Sequence, residues 1–243
     1  MEVVNDLLNY KDMKIIQRKD GFNFSLDSVL LANFVTINKN CNKAIDLGTG
    51  NAPIPLILST RTNAELIGVE IQDLSFDLAK RSVELNGLEN RIEIIRGDLK
   101  GINETVGTEC FDIVTCNPPF FKVGKNAHLN QSDYKTIARH EVLATLDDVV
   151  CSAKVLLKNG GYFAMVHRPE RLVDIITTFK KHNLEPKRIQ FIHPKQDREA
   201  NIMLIEGKKN GNPGLKMLKP VYSHNQDGNY TDYIKSQFSE RSE

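Results

Sequence analysis

The sequence has no tryptophan, only four cysteines, and almost no net charge. No stretch approaches the roughly 18 consecutive apolar residues of a transmembrane helix, so no membrane partner is expected. Cys41, Cys110, Cys116 and Cys151 form no C-x-x-C pair and make no zinc-ligand spacing with the six histidines. His140-Glu141 opens like a zincin motif, but Ala144 stands where the second histidine belongs. No metal is expected, and the thiols read as free cysteines of a reducing cytoplasm. Met1 to Tyr10 carries Glu2, Asn5 and Asp6 and no basic stretch leading into an apolar one, so no signal peptide is expected. The 32 Lys and Arg against 31 Asp and Glu leave +1, which excludes a histone-like polycation and a polybasic membrane binder. Internal repeats and low-complexity segments are absent as well.

What is present suits one large domain with short appendages: 243 residues, 40% hydrophobic and 26% charged. From residue 43 to residue 206 strand-like runs alternate with amphipathic helical stretches. Strands are expected at 43–47, 65–71, 91–96, 111–116, 162–167, 188–193 and 201–206. Helices are expected at 73–86, 141–157 and 170–182, with Asn86-Gly87 and Asn159-Gly160-Gly161 as stops. Alternation of this kind implies a parallel sheet with helices on both faces. The last two strands have no helix between them and must pair as an antiparallel hairpin. The expected fold is α/β and Rossmann-like: a seven-stranded, mostly parallel sheet with an antiparallel C-terminal strand. Residues 1–40 read as an N-terminal helical appendage or lid, 41–207 as the main domain, and 208–243 as a basic polar tail packed on it.

Three ligand-binding signals fall at the carboxyl ends of three successive strands, the edge where such sheets bind ligands. After the first strand comes Asp46-Leu47-Gly48-Thr49-Gly50-Asn51-Ala52-Pro53, whose glycines allow a tight turn and close approach of a ligand. Glu70, at the end of the second, can accept hydrogen bonds from two ribose hydroxyls. After the third, Asp98 can accept from an adenine amine while the Leu99 backbone N–H donates to the ring. Asn51 and Ile71 flank these positions and belong to the same expected site. NAD is the competing ligand, but a pyrophosphate needs Gly or Ala at the third fingerprint position, where Pro53 stands.

Cys116-Asn117-Pro118-Pro119-Phe120-Phe121 closes the fourth strand. The exocyclic amine of adenine is a poor nucleophile because its lone pair is delocalised into the ring. Asn117 Oδ1 and the Pro118 carbonyl can each accept one of its N–H groups, and the prolines hold those acceptors in place. Phe120 offers a face for a flipped base, worth about 1–3 kcal/mol. Cys116 reads as a small buried hydrophobe. Arg139-His140 reads equally as an RNA contact and as a solvated helix start. Ser25 and Asp27 precede the apolar run Val29 to Phe34 and read as a helix cap, or as a lid that brings Asp27 to the cofactor's ammonium.

This order of elements and motifs, over about residues 41–207, resembles the class I S-adenosylmethionine methyltransferases. Ala52 departs from the glycine usual there. Asn-Pro-Pro-aromatic is shared by adenine-N6 methyltransferases of DNA and RNA, guanine-N2 ribosomal RNA enzymes and glutamine methyltransferases of release factors. Phe24-Ser25-Leu26-Asp27-Ser28-Val29-Leu30-Leu31-Ala32, Asn117 to Phe120 and Gly228-Asn229-Tyr230-Thr231 are similar to segments of the bacterial tRNA(Val) adenine-N6 methyltransferase family. The resemblance implies S-adenosylmethionine as cofactor, S-adenosylhomocysteine as product, and an RNA partner, most specifically tRNA methylated at an adenine beside the anticodon. It implies Asn117, Pro118 and Phe120 as catalytic residues, and Asp27, Asp46, Gly48, Gly50, Asn51, Glu70, Ile71, Asp98, Leu99 and Asn117 as cofactor contacts. An RNA-binding protein that merely retains the fold is the non-enzymatic alternative.

The balanced charge is unevenly spread. Residues 1–40 are neutral, 41–115 carry seven basic against twelve acidic side chains, and 116–243 carry twenty against fourteen. Lys208, Lys209, Lys216 and Lys219 occur with no acid among them, and residues 180–198 hold six basic side chains against Glu185 and Asp197. The basic excess follows the target-base motif, so this half is expected to contact RNA phosphates.

Overall fold

The computed structural model describes residues 1–7, 13–18, 25–118 and 144–238. Seven strands form the body of one sheet. They are β3 (Lys43–Leu47), β4 (Glu65–Glu70), β5 (Ile92–Arg96), β6 (Phe111–Cys116), β7 (Leu157–His167), β8 (Leu184–His193) and β9 (Ile202–Lys209). Their spatial order is β8-β9-β7-β6-β3-β4-β5, and two short strands, β10 (Lys216–Met217) and β11 (Val221–Tyr222), pair with β8 to make nine. β9 alone runs against its neighbours: it is antiparallel to both β7 and β8, and every other pair in the sheet is parallel. The expected hairpin forms, and its second arm slots in between β7 and β8.

Parallel strands buried on both faces read as near-continuous apolar runs, and here they separate two cores. On one side Ala44, Leu66, Ile113, Ala164 and Leu204 meet α1 (Leu26–Phe34), α2 (Pro53–Ser59) and α3 (Asp73–Leu85). On the other, Ile45, Ile67, Val69, Val114, Phe163 and Met165 meet Val149, Val150, Ala153 and Leu156 of the helix Leu146–Leu156 and Ile175 and Phe179 of the helix Leu172–Lys181. Because β3 through β8 point the same way, apart from β9, their carboxyl ends share one edge.

The N-terminal segment departs from its helical expectation. Glu2–Asp6 (β1) and Lys14–Arg18 (β2) form an antiparallel pair, and among the described residues of this segment only Leu26–Phe34 is helical. The β-branched pairs Val3-Val4 and Ile15-Ile16 favour this. Side chains of α3 then complete the backbone of β2: Ser82 Oγ accepts from Ile16 N at 3.0 Å, and Asn86 both accepts from Lys14 N at 2.8 Å and donates to Lys14 O at 2.7 Å. The helix expected over 141–157 begins at Leu146, behind a Thr145–Asp148 capping box. Its expected stop, Asn159-Gly160-Gly161, lies inside β7 instead: Leu157 already pairs with Phe111, and Tyr162 pairs with Ile113 after an irregularity between them. The tail adds β10, β11 and the helix Asp232–Ser236, whose Ile234 is fully buried in the first core.

Helix α1 is held at its C-terminal end by cations. The guanidinium of Arg61 donates to Ala32 O and Val35 O, and that of Arg188 donates to Phe34 O and lies 4.5 Å from the Phe34 ring centre. Cations there complement the negative end of the helix dipole. Glu206 on β9 has no exposed surface; it accepts from Thr36 N at 2.6 Å, Thr36 Oγ1 at 2.8 Å and Arg188 Nε at 2.9 Å. Ser25 stands at the N-cap position but makes no side-chain cap bond, so the expected cap is absent. Glu206→Ala leaves Arg188 Nε and the Thr36 N–H without their acceptor. It should lower unfolding free energy by about 3–5 kcal/mol, read from urea unfolding; a loss under about 1 kcal/mol would show the network to be dispensable.

Candidate active site

The turn after β3 reverses direction through left-handed backbone. Gly48 and Gly50 have φ of 71° and 59°, and Ala52, fully buried ahead of α2, has φ 68°. The departure from glycine at position 52 therefore leaves the turn conformation in place, at a strain of about 1 kcal/mol. The N–H groups of Gly48 and Thr49 both donate to Val69 O at 2.9 Å, which ties the turn to β4. Glu70, 5% exposed, clasps the same turn: Oε2 accepts from Gly50 N and Oε1 from Gln72 N, each at 2.9 Å. Ile71, next in the chain, is one-third exposed at this edge.

Asp46 is 2% exposed in the middle of the sheet, opposite Gly68 on β4 and Thr115 on β6. Thr115 Oγ1 donates to Asp46 Oδ1 at 2.6 Å, while Asp46 Oδ2 and the neighbouring Thr49 Oγ1 have no hydrogen-bond partner among the described residues. Burial pushes the Asp46 carboxyl up to about 7, and the charge of Glu70 adds to the rise, against the nearby threonine hydroxyls. Gly68 explains how Thr49 fits. A Cβ at Gly68 would stand 2.8 Å from Thr49 Cγ2 and 2.9 Å from Ile94 Cδ1. The sequence reading missed this residue, although a lone glycine inside a strand already marks a close approach.

Asp98 and Leu99 follow β5 at the same edge, both half-buried, and Asp98 Oδ1 accepts from Lys100 N at 2.9 Å. Asn117 follows β6, one position beyond the Leu47–Cys116 register pair, so it stands beside the Gly48 turn. Its Nδ2 donates to Ser28 Oγ of α1 at 3.0 Å. Pro118 follows at the limit of the described segment; Pro119, Phe120, Phe121, Arg139 and His140 lie outside the described residues. Asp27, beside Ser28, is largely buried, and that burial raises its carboxyl pKa against the opposing charge of Arg168 past the end of β7. The edge thus brings together Asp46, Gly48, Gly50, Glu70, Ile71, Asp98, Leu99, Asn117, Pro118 and Asp27. Asn51 is the exception in its side chain: Nδ2 donates to Ile16 O at 2.9 Å, so the amide holds the N-terminal hairpin and faces no ligand. Cys116 is buried with its thiol pKa pushed well up, first by burial and then by Asp46, which keeps it protonated and apolar in character.

The expected basic surface divides. Lys209 is 2% exposed and bonds Glu109 and Leu157 O, Lys181 pairs with Asp147, Lys180 with Glu185, and Arg188 with Glu206. Lys209 pairs opposite Leu184 and Lys208 opposite Glu185, the first residues of β8, at the far edge of the sheet from Asn117. Lys195 and Arg198, in the β8–β9 turn, and Arg168 occupy the Asn117 edge. Among the described residues no acid–histidine–cysteine cluster suits a metal ion, and no helix is long and apolar enough to cross a membrane.

Sheet order, the glycine turn on β3 and the acid on β4 define the class I methyltransferase fold. It is shared by a predicted O-methyltransferase from Agrobacterium tumefaciens, with a TM-score of 0.69 at 22% identity over 89% of this chain and 99% of that one. Geranyl diphosphate C-methyltransferase from Streptomyces coelicolor, solved with S-adenosyl-L-homocysteine, has a TM-score of 0.56 at 10% identity, covering 75% of this chain and 76% of that one. A family model described as RNA methyltransferase matches residues 14–179, and the chain belongs to that family. The tRNA1(Val) (adenine(37)-N6)-methyltransferase of Porphyromonas gingivalis is 28% identical over 210 residues, 83% of this chain and 80% of that protein.

The buried Asp46 gives a pH signature. A carboxyl whose folded pKa, about 7, exceeds its unfolded value of 3.8 stabilises the fold through its protonated form, and that contribution is lost as pH rises from about 4 to 7. Asp46→Asn, whose amide can accept from Thr115 and donate to Thr49, should therefore gain stability relative to the wild type between pH 5 and pH 8 in urea unfolding. An equal difference at both pH values would contradict the raised pKa.

Proposed function

We propose that this chain transfers a methyl group from S-adenosylmethionine to the exocyclic N6 amine of an adenine in tRNA, beside the anticodon, in the cytoplasm. The observation that carries this reading is the placement of Asn117-Pro118 at the carboxyl end of β6, next to the turn that Glu70 clasps. Membership of the RNA methyltransferase family and the likeness to the P. gingivalis enzyme support it.

The residues present fit the cofactor. Glu70 is buried and fixed by two backbone donors, as a carboxylate must be to receive two ribose hydroxyls without moving. Asp98 and the Leu99 N–H would hold the adenine edge, Ile71 would flank the ring, and the Gly48–Gly50 backbone with Asp46 would line the methionine arm. Asp27, partly buried and not yet countered in full by Arg168, would face the ammonium. Asn51 would contribute through its backbone alone. When bound, S-adenosylmethionine supplies an electrophilic methyl group on a sulfonium.

The protein's work is then positional. Asn117 Oδ1 and the Pro118 carbonyl accept the two N–H bonds of the amine, which withdraws its lone pair from the ring and aims it. Phe120 would stack the flipped base. A strong base is not required, because the methylated ammonium is acidic and sheds its proton readily. Arg168, Lys195 and Arg198 lie where the phosphates of an RNA entering this edge would pass.

Labelled cofactor with tRNA from cells lacking this protein should yield N6-methyladenosine. N2-methylguanosine, or labelling of a glutamine peptide instead, would move the substrate to a rival class. Absence of a thermal shift with S-adenosylhomocysteine at about 100 times a micromolar Kd, where about 2.7 kcal/mol is expected, would favour a non-catalytic RNA-binding protein. Asn117→Ala should abolish transfer while cofactor affinity stays within about tenfold; loss of affinity instead would make Asn117 structural.

A further inference from the structure

Helix α1 enters the chemistry through one side chain. Ser28 lies in its first turn, 2% exposed, and its Oγ accepts the Asn117 Nδ2 hydrogen bond across 89 positions of sequence. An amide side chain has an acceptor at one end and donors at the other, in nearly the same shape. Turned one way, Asn117 presents an oxygen to an amine; turned the other, it presents N–H groups that oppose the amine's own. The reaction proposed above tolerates only the first. Ser28 engages the nitrogen end, and among the described residues no donor bonds Asn117 Oδ1.

The partner that takes the nitrogen end is itself held in place. The far end of α1 is held by Arg61, Arg188 and, through Thr36, Glu206, and Asn33 Nδ2 donates to Gln237 O in the tail at 3.0 Å. The first turn is therefore delivered by a helix fixed at its other end, and a buried hydroxyl so delivered costs no reorganisation during the reaction.

We infer that Ser28 is a positioning residue for methyl transfer: by holding Asn117 Nδ2 it sets the amide so that Oδ1 faces the target nitrogen. The inference rests on the function proposed above. It gives α1 a part in positioning the reacting groups, where the sequence suggests a cap by Ser25 or Asp27, or a cofactor contact at Asp27.

The test is Ser28→Ala in the full chain, with unmodified tRNA as substrate. The expected result is a fall in kcat of about tenfold or more, with KM for tRNA and affinity for S-adenosylhomocysteine within about twofold of wild type. The Asn117 side-chain amide resonance, identified by its loss in Asn117→Ala, should shift in Ser28→Ala while backbone amides away from α1 stay in place. Wild-type turnover in an active preparation would overturn the inference. So would a loss of kcat matched by equal losses in cofactor affinity and thermal stability, which is the signature of a packing defect. A wild-type protein that transfers no methyl group to tRNA removes the functional reading itself, and the amide resonance then still reports separately whether Ser28 holds Asn117.

Discussion

Glu206 sits at the middle of β9 with no contact with water, and a carboxylate there needs donors on every side that faces it. It finds them in Thr36, at the exit of α1, and in Arg188 on the neighbouring strand. Arg188 in turn reaches the last carbonyl of α1 and covers the ring of Phe34. This one network joins the N-terminal helix to two C-terminal strands 154 and 170 positions further along the chain. With that end fixed, the first turn of α1 meets the end of β6, and Ser28 meets Asn117. Asn117 is thereby tied, through a nine-residue helix, to an ion pair at that helix's opposite end.

The same economy of backbone and buried charge shapes the cofactor edge. Asp46 lies between Gly68 and Thr115, and the missing side chain at position 68 gives Thr49 the room to fold back beside it. Glu70 accepts from the N–H groups of Gly50 and Gln72 and so ties the turn after β3 to the end of β4. Each acid is thus a structural element first. A charge held still by the fold can orient a ligand at little cost at the moment of binding, whereas a mobile one must be ordered each time.

Charge along the chain proved a poor guide to charge in space. The acid-free run from Lys208 to Lys219 begins with two side chains at the far edge of the sheet, one of them buried against Glu109. Most basic side chains of residues 180–188 are consumed by Asp147, Glu185 and Glu206. Among the described residues the Asn117 edge keeps Arg168, Lys195 and Arg198, of which Arg168 donates to Asn201 O and Lys195 to Gln226 O. Strand direction decides this, because β9 runs against its neighbours and carries its C-terminal lysines away from the site.

The α/β alternation, the parallel sheet, the terminal hairpin and the ends of β3, β4 and β6 were legible in the sequence, because each rests on local pattern: apolar runs, glycine turns and helix stops. Asn117, Glu70 and Asp46 were legible for the same reason, as polar residues placed at strand ends. The N-terminal hairpin was not, since its second strand is completed by the side chains of Ser82 and Asn86, 66 and 72 positions away. Nor was the use of Asn51, whose amide turns from the expected ligand to the carbonyl of Ile16. Local pattern determines which residues stand at the reactive edge, because a parallel sheet sends all its strand ends there. Which way their side chains face was decided only by tertiary structure, since a side chain follows its hydrogen-bond partners, and for Asn51, Asn117 and Glu206 those partners lie tens of residues or more away in the chain.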